Sequence, residues 1–270
     1  MEQKRTRNRP RSRLTYQQWK RRKTLRLVRN WALFLAGCAA AVFLMTKGIL
    51  WLLPQLTSLV RGPEVFAAQP YDGAGYVFDR TDPRLVLVNG NLPYTAEPEP
   101  LLSAVDEAGS LLEAEAAMAY RSMAAAAQAD DVTLIVANAY QDAPAREAAY
   151  ENWEQTYLEQ HKTQQDAEAL AASIEPKADR NEHGTGYAVD LVCEDYDTLD
   201  LGFAETRAYE WLTAYAAEYG FILRYPQDRQ AATGVVYEPW HWRYVGKENA
   251  LAIRASALSL EEFLATQMAD

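Results

Sequence analysis

An apolar run over residues 31–53, interrupted by a single charged residue, Lys47, most constrains how this chain can fold. Taken as one helix, the run extends about 34 Å, enough to cross a bilayer core of roughly 30 Å. Trp31 and Trp51 suit the two membrane interfaces, and the long side chain of Lys47 can extend towards water. We therefore predict one retained transmembrane helix over residues 31–53.

Basic residues are concentrated ahead of this run. Residues 1–30 contain 12 Lys or Arg residues and one acidic residue, whereas the whole chain of 270 residues has a net charge of −10, so residues 31–270 carry −21. Because basic flanks stay on the cytoplasmic side, we expect a cytoplasmic tail at 1–30 and an extracellular body in a single-pass membrane protein. The acidic body repels phosphate, which argues against nucleic-acid binding.

Two processed forms compete with the retained anchor. A cleaved signal peptide needs a small-x-small site after its apolar region, and the nearest candidate, Val65–Ala68, is weak and late. Leu35–Cys38 resembles a lipoprotein processing box, but the chain stays apolar after Cys38, where a lipoprotein becomes polar. The retained anchor therefore remains the preferred interpretation.

The sequence beyond the anchor predicts a stalk followed by one folded domain. Residues 54–80 contain scattered Pro and Gly without sustained periodicity, as in a linker. Residues 81–270 mix helical periodicity with short strand patterns, which predicts an α+β domain. We expect strands at 85–88, 132–136, 221–225, 235–237 and 241–245, and helices at 104–127, 144–174, 204–219 and from Ser259 onward.

The first segment with candidate chemistry runs from His183 to Asp190 and contains two glycines. The glycines permit a tight turn after His183, before the chain enters a strand. Alternation places Ala188 and Asp190 on one face of that strand. The Asp190 carboxylate is therefore expected to point into the space beside His183.

The second segment is Glu238-Pro239-Trp240-His241-Trp242. In an extended chain the imidazole of His241 faces away from both neighbouring indoles. Pro239 interrupts regular strand geometry, so that Glu238 and His241 can converge although they lie three residues apart.

Two histidines and one aspartate, here His183, Asp190 and His241, form a three-ligand zinc set that leaves a fourth position for water. Zinc lowers the pKa of such a water towards about 7, and an unligated glutamate, Glu238, can take its proton. Non-haem iron accepts a similar set, and spacing alone does not separate the metals. The third histidine, His161, lies in a charged helical stretch and is expected on the solvated surface.

Both segments resemble the signatures of VanY-like zinc D-alanyl-D-alanine carboxypeptidases, S-x-H-x-x-G-x-A-x-D and E-x-W-H-x-R-Y-V-G. Here they read N-E-H-G-T-G-Y-A-V-D over 181–190 and E-P-W-H-W-R-Y-V-G over 238–246. The resemblance covers about residues 80–265. It implies a small antiparallel sheet flanked by helices, in a Hedgehog/D,D-peptidase-like fold.

The same resemblance implies site roles. It assigns Zn²⁺ to His183, Asp190 and His241, and the role of general base to Glu238. It also implies a substrate, the peptidoglycan stem peptide, from which the terminal D-Ala is removed. The expected enzyme is thus a membrane-anchored zinc D,D-carboxypeptidase acting outside the membrane.

Two departures from the family pattern affect the expected substrate contacts. Gln141 stands where the family has an arginine that holds the substrate carbonyl, and Asn181 replaces a serine. Losing one electrophilic donor costs about 2.7–4 kcal/mol of transition-state stabilisation, unless Arg146 or Arg224 reaches the site. The alternatives are therefore a zinc-stabilised peptidoglycan-binding module with weak or no activity, and a dipeptidase or endopeptidase on the same fold.

Overall fold

The computed structural model describes residues 82–94 and 99–267, with isolated helical positions between residues 21 and 47. The chain divides into two compact units, Met1–Val65 and Phe66–Asp270, and the elements below belong to the second. Among the described residues, none of the helices combines the length and hydropathy required of a membrane span. The predicted anchor and stalk lie outside the described residues, except for four anchor positions: Trp31, Leu35, Gly37 and Lys47.

Short strands alternate with helices through the second unit. The strands are β1 Leu102–Ala104, β2 Leu111–Glu113, β3 Leu134–Asn138, β4 Ala188–Cys193, β5 Phe221–Leu223 and β6 His241–Tyr244. The helices are α1 Ala114–Ala129, α2 Ala143–Glu159, α3 Gln164–Ile174, α4 Arg207–Tyr215, α5 Gln230–Thr233, α6 Lys247–Ser256 and α7 Leu260–Gln267. Further 3₁₀ turns lie at Pro83–Leu85, Ala178–Arg180, Glu182–Thr185, Leu201–Glu205 and Ala216–Tyr219.

The central sheet is antiparallel, with strand order β3-β4-β6-β5, and β1 pairs separately with β2. This arrangement confirms the predicted α+β class with small antiparallel sheets. Within the central sheet, Asp190 on β4 lies directly opposite His241 on β6 and opposite Asn138 on β3. Because directly opposed residues share a face, the pairing brings three polar side chains to one side of the sheet.

The two faces of the sheet differ in character. Val189 and Leu191 of β4 and Trp242 and Tyr244 of β6 join the main core, which includes residues of α1 and α4. The alternate positions, including Asp190 and His241, point to the opposite face. A second apolar cluster, which includes residues of α6 and α7, lies around Ile222 and Val245. The site face is thus supported by packed apolar layers.

The predicted helix over 144–174 is wrong in one respect, because it is two helices. α2 ends at Glu159 and α3 begins at Gln164. His161 lies in the turn between them with φ 62°, and its side chain is exposed. Thr163 caps α3 by accepting from the amide of Asp166, which starts a new helix.

Other differences follow from local hydrogen bonds. Residues 85–88 form no strand, because the Val86 carbonyl accepts from the Arg243 side chain at 2.9 Å instead of from a neighbouring strand. The expected strand at 235–237 is absent as well, since the amide of Val236 bonds to the carbonyl of Ser173 at 2.8 Å. A β1–β2 hairpin replaces the start of the helix predicted at 104–127.

Candidate metal centre

The pairing of β4 with β6 sets the first half of the centre. His241 Nδ1 lies 2.8 Å from Asp190 Oδ1. Asn138 Nδ2 donates to Asp190 Oδ2 at 2.9 Å, which fixes the orientation of the carboxylate from the other neighbouring strand. Both ligand candidates are buried, with Asp190 5% and His241 4% exposed.

His183 reaches the same point from the 3₁₀ turn Glu182–Thr185. Its Nε2 lies 3.3 Å from Asp190 Oδ2, and its Nδ1 lies 2.7 Å from the carbonyl oxygen of Ala139. A proton on Nδ1 would satisfy that carbonyl and leave the Nε2 lone pair facing the carboxylate. The rings of His183 and His241 meet edge to face at 5.0 Å.

Local hydrogen bonds hold the turn that carries His183. Asn181 Oδ1 accepts from the amide of His183 at 2.9 Å, and Thr185 Oγ1 donates to the carbonyl of Glu182 at 2.7 Å. A Cβ atom at Gly184 would lie 2.6 Å from Arg146 Cζ, so a larger residue there would displace the Arg146 guanidinium. Gly186 has φ 75°, the left-handed region that favours glycine.

The arrangement fits a metal ion. His183, Asp190 and His241 each offer one ligand atom within 4.8 Å of the others. In the described part of the chain, buried Asp190 Oδ1 makes no hydrogen bond of acceptable geometry, although His241 Nδ1 is adjacent. Two imidazole nitrogens and one carboxylate oxygen are the ligands that Zn²⁺ prefers, and they leave one tetrahedral position free.

A cleft of about 100 Å³ opens onto these ligands. Glu238 lines it, and its Oε2 lies 3.8 Å from His241 Nδ1. Trp153 and Trp240 form apolar parts of the wall. The cleft therefore offers a candidate base, a metal position and apolar surface in one place.

The cleft concentrates negative charge. Burial raises the pKa of Glu238 well above its ordinary value, and the carboxylates of Asp190 and Glu175 raise it further. Burial opposes a charge on His241, but Asp190 and Glu182 outweigh that effect and raise the pKa of His241 to about 9. A divalent cation between the ligands would balance these carboxylates and favour the ionised form of Glu238.

The residues expected to contact substrate have different placements. Asn181 lines the cleft, but its side chain bonds to the amide of His183 and to the Glu175 carboxylate. Gln141 is not among the cleft residues, and its backbone N–H donates to the carbonyl of His183 at 3.2 Å. Arg224 is 0% exposed and its guanidinium is paired with Glu182 and Glu261, which gives it a role away from the substrate.

Arg146 also has another role. Its guanidinium packs against Gly184 and donates to the carbonyls of Gln141 and Ala178, so it holds the loop around His183. It does not line the cleft. Neither Arg146 nor Arg224 therefore supplies the charge that the family arginine would bring.

Glu175 is a cleft residue that sequence reasoning missed. It follows α3, and its backbone is extended with φ −128° and ψ 98°. The proline at 176 disfavours a helical conformation at position 175, and the side chain lies at the cleft. Burial raises the pKa of Glu175 above its ordinary value. The available signal was the Glu-Pro pair at the end of a helix.

The fold and the site together define a class of protein. A small α+β domain with a His-Asp-His centre and an adjacent unligated glutamate is typical of metallopeptidases. A family model for VanY, D-alanyl-D-alanine carboxypeptidase, matches residues 109–247. A D-alanyl-D-alanine carboxypeptidase of Enterococcus faecalis (strain ATCC 700802 / V583) is 31% identical over 189 residues, 70% of this chain and 68% of that protein. The chain belongs to the VanY family of D-alanyl-D-alanine carboxypeptidases.

Two solved structures and a further sequence relative agree with this assignment. VanYB in complex with D-alanine-D-alanine has a TM-score of 0.63 at 32% identity, covering 68% of this chain and 98% of that one. A variant of the D,D-pentapeptidase VanY from a VanB-type resistance cassette, in complex with Zn(II), has a TM-score of 0.61 at 31% identity, covering 67% and 99%. The bifunctional dipeptidase and carboxypeptidase VanXYC of Enterococcus gallinarum is 42% identical over 86 residues, 31% of this chain and 45% of that protein.

Replacing a ligand should remove the metal. His241→Ala leaves two protein ligands, so we expect the variant to lose its zinc and part of its stability, because metal binding and folding are coupled. Metal analysis of the purified chain measures zinc per protein. His161→Ala, which changes an exposed histidine in the α2–α3 turn, is the matched control and should keep its zinc. Unchanged zinc in His241→Ala would remove His241 from the ligand set.

Proposed function

We propose that this protein is a membrane-anchored carboxypeptidase that removes the terminal D-Ala from peptidoglycan stem peptides outside the cell membrane. The observation that carries the proposal is the position of Glu238, which is buried beside the three ligand candidates. A glutamate in that place is suited to proton transfer during hydrolysis. The D-Ala-D-Ala complex of VanYB and the family match support the choice of substrate.

The metal ligands and Glu238 have different roles in the proposed hydrolysis. When bound by His183, Asp190 and His241, zinc supplies a Lewis acid that polarises the scissile carbonyl and acidifies water. Glu238 takes one proton from the attacking water on a carboxylate oxygen and delivers it to the amino group of the departing D-Ala. Water thus adds hydroxyl to the carbonyl carbon as the peptide bond breaks. Trp153 and Trp240 form apolar walls that limit water around the reacting groups.

Removing the base should abolish turnover without removing the metal. We expect Glu238→Ala to keep its zinc and its fold, because Glu238 is not needed as a ligand, and to lose about 10²-fold or more in turnover. The assay measures D-Ala released from a pentapeptide that ends in D-Ala-D-Ala, with free D-Ala-D-Ala as a second substrate. Glu248→Ala, at an exposed position of α6, is the control. Full activity in Glu238→Ala would exclude Glu238 as the base.

A second candidate function is peptidoglycan binding without efficient cleavage. Gln141 favours it, because no Arg or Lys lies among the described residues that line the cleft. A substrate carbonyl in the transition state would then lack a charged donor from the protein. The backbone of Gln141 is hydrogen-bonded to His183, so a longer side chain at position 141 would begin near the candidate metal ligands.

Restoring the arginine separates the two functions. If a missing charge limits transition-state stabilisation, Gln141→Arg should raise D-Ala release by about 10²-fold, the lower end of the usual effect of one such donor. Gln155→Arg adds the same charge at an exposed site of α2 and should change nothing. A wild-type chain that binds stem peptide without releasing D-Ala, together with an inactive Gln141→Arg, would favour the binding module.

The anchor rests on the uncharged apolar composition of residues 31–53, apart from Lys47, and on the basic tail before it. Described positions within the segment are helical, and the side chains of Trp31 and Leu35 are 58% and 61% exposed. Large apolar side chains exposed at helical positions suit a lipid environment.

Topology can be measured directly. We expect protease added outside intact cells to digest the body of the protein and to leave residues 1–30 protected, because basic flanks remain in the cytoplasm. Replacing the basic residues of 1–30 with Gln should weaken this orientation. A released product that begins near Ala68, or lipid on Cys38, would instead show that the anchor is processed.

A further inference from the structure

We propose that Glu182 is a positioning residue for the metal centre: its carboxylate accepts the Nε2 proton of His241 and thereby holds Nδ1 towards the metal. The inference rests on the zinc site described above and concerns how tightly that site binds its ion. Glu182 is the residue just before the ligand His183, and it does not need to touch the metal or the substrate to act in this way.

The geometry of His241 demands such a partner. Its Nδ1 faces Asp190 at 2.8 Å, so a neutral ring that offers Nδ1 to a metal must carry its proton on Nε2. A buried N–H group needs an acceptor. His241 Nε2 and Glu182 Oε2 are both buried, and neither has a hydrogen-bond partner among the residues that the structure describes. They lie 3.7 Å apart, so a small side-chain rotation brings them into hydrogen-bond range.

The other oxygen of Glu182 explains why the carboxylate stays in place. Glu182 Oε1 accepts from Arg224 Nε at 2.7 Å and lies 3.1 Å from an amino nitrogen of Arg243. The three side chains are 0% exposed. With Oε1 held on the side of the arginines, Oε2 remains directed at His241.

The arginines are themselves fixed. Arg224 makes two hydrogen bonds to Glu261 of α7, at 2.9 and 2.6 Å. Arg243 donates to the carbonyls of Arg84 and Val86 at 3.1 and 2.9 Å. Two buried guanidinium groups are therefore balanced by two buried carboxylates, and only Glu182 also faces a metal ligand.

Only one of the two carboxylates, Glu182, faces a metal ligand, so comparing it with Glu261 distinguishes a positioning role from a purely structural one. Glu182 and Glu261 each neutralise Arg224, so removing either charge unbalances the same buried cluster. If Glu182 only balanced charge, the two substitutions would differ in their cost to stability, because Glu182 also lies 3.1 Å from Arg243, but they would have similar effects on zinc affinity. If Glu182 also orients His241, only its replacement would affect the metal, since outer-shell partners of a ligating histidine change metal affinity by about 10–100-fold.

The test compares the full chain carrying Glu182→Gln with the full chain carrying Glu261→Gln. Zinc affinity is measured by competition with a chelator, and the absorption spectrum of the Co²⁺-substituted protein reports ligand geometry. Urea unfolding of the metal-free proteins measures the structural cost of each change. We expect Glu182→Gln to weaken zinc binding about 10–100-fold and to alter the Co²⁺ spectrum, and Glu261→Gln to leave both within about threefold of the wild type.

Equal effects of the two substitutions on zinc affinity would overturn the proposal, as would wild-type affinity in a folded Glu182→Gln variant. If Glu182→Gln does not fold, Glu182→Asp tests the proposal instead. The aspartate keeps the negative charge beside the arginines but is one methylene too short to reach His241. Zinc affinity retained in Glu182→Asp would then refute the role. None of these measurements uses D-Ala release, so they remain separate from any failure of the proposed function.

Discussion

The antiparallel pairing of β4 with β6 is the constraint on which the rest of the site depends. It sets Asp190 opposite His241, and β3 adds Asn138 on the far side of the same carboxylate. Because side chains alternate along a strand, a slip of one residue would turn Asp190 into the apolar core. The large apolar residues at the intervening positions, such as Leu191 and Trp242, prevent that slip and so hold the ligands in register.

Beneath the ligands the protein buries a balanced set of charges. Isolated ions are costly to remove from water, whereas ions with good geometry and full hydrogen bonding are tolerated. Burial alone would raise the pKa of Glu182, but Arg224 and Arg243 outweigh it and hold that pKa well below its ordinary value. The two arginines thus favour the ionised form of Glu182 beside His241. The His-Asp-His centre is one end of an ionic cluster that continues to α7 through Glu261.

Sequence reasoning found the parts of the site that are encoded locally. Strand alternation predicts that Asp190 lies beside His183, and the resemblance to the VanY signatures adds His241 to the set. The structure places one ligand atom of each of the three within 4.8 Å of the others. The α2–α3 break at His161 was missed, because helix-forming residues continue on both sides and only the Thr163 cap signals it. Glu175 and the Glu182 cluster depend on contacts between distant segments, which no local pattern contains.

The position of Glu261 in the chain has a consequence for the order in which the centre is completed during synthesis. A ribosome adds residues from the N-terminus, so all three ligands leave the exit tunnel before α7 does. In the folded protein Arg224 is paired with Glu182, which precedes it in the chain, and with Glu261, which follows it. A nascent chain therefore possesses the ligands before it possesses the charge balance beneath them.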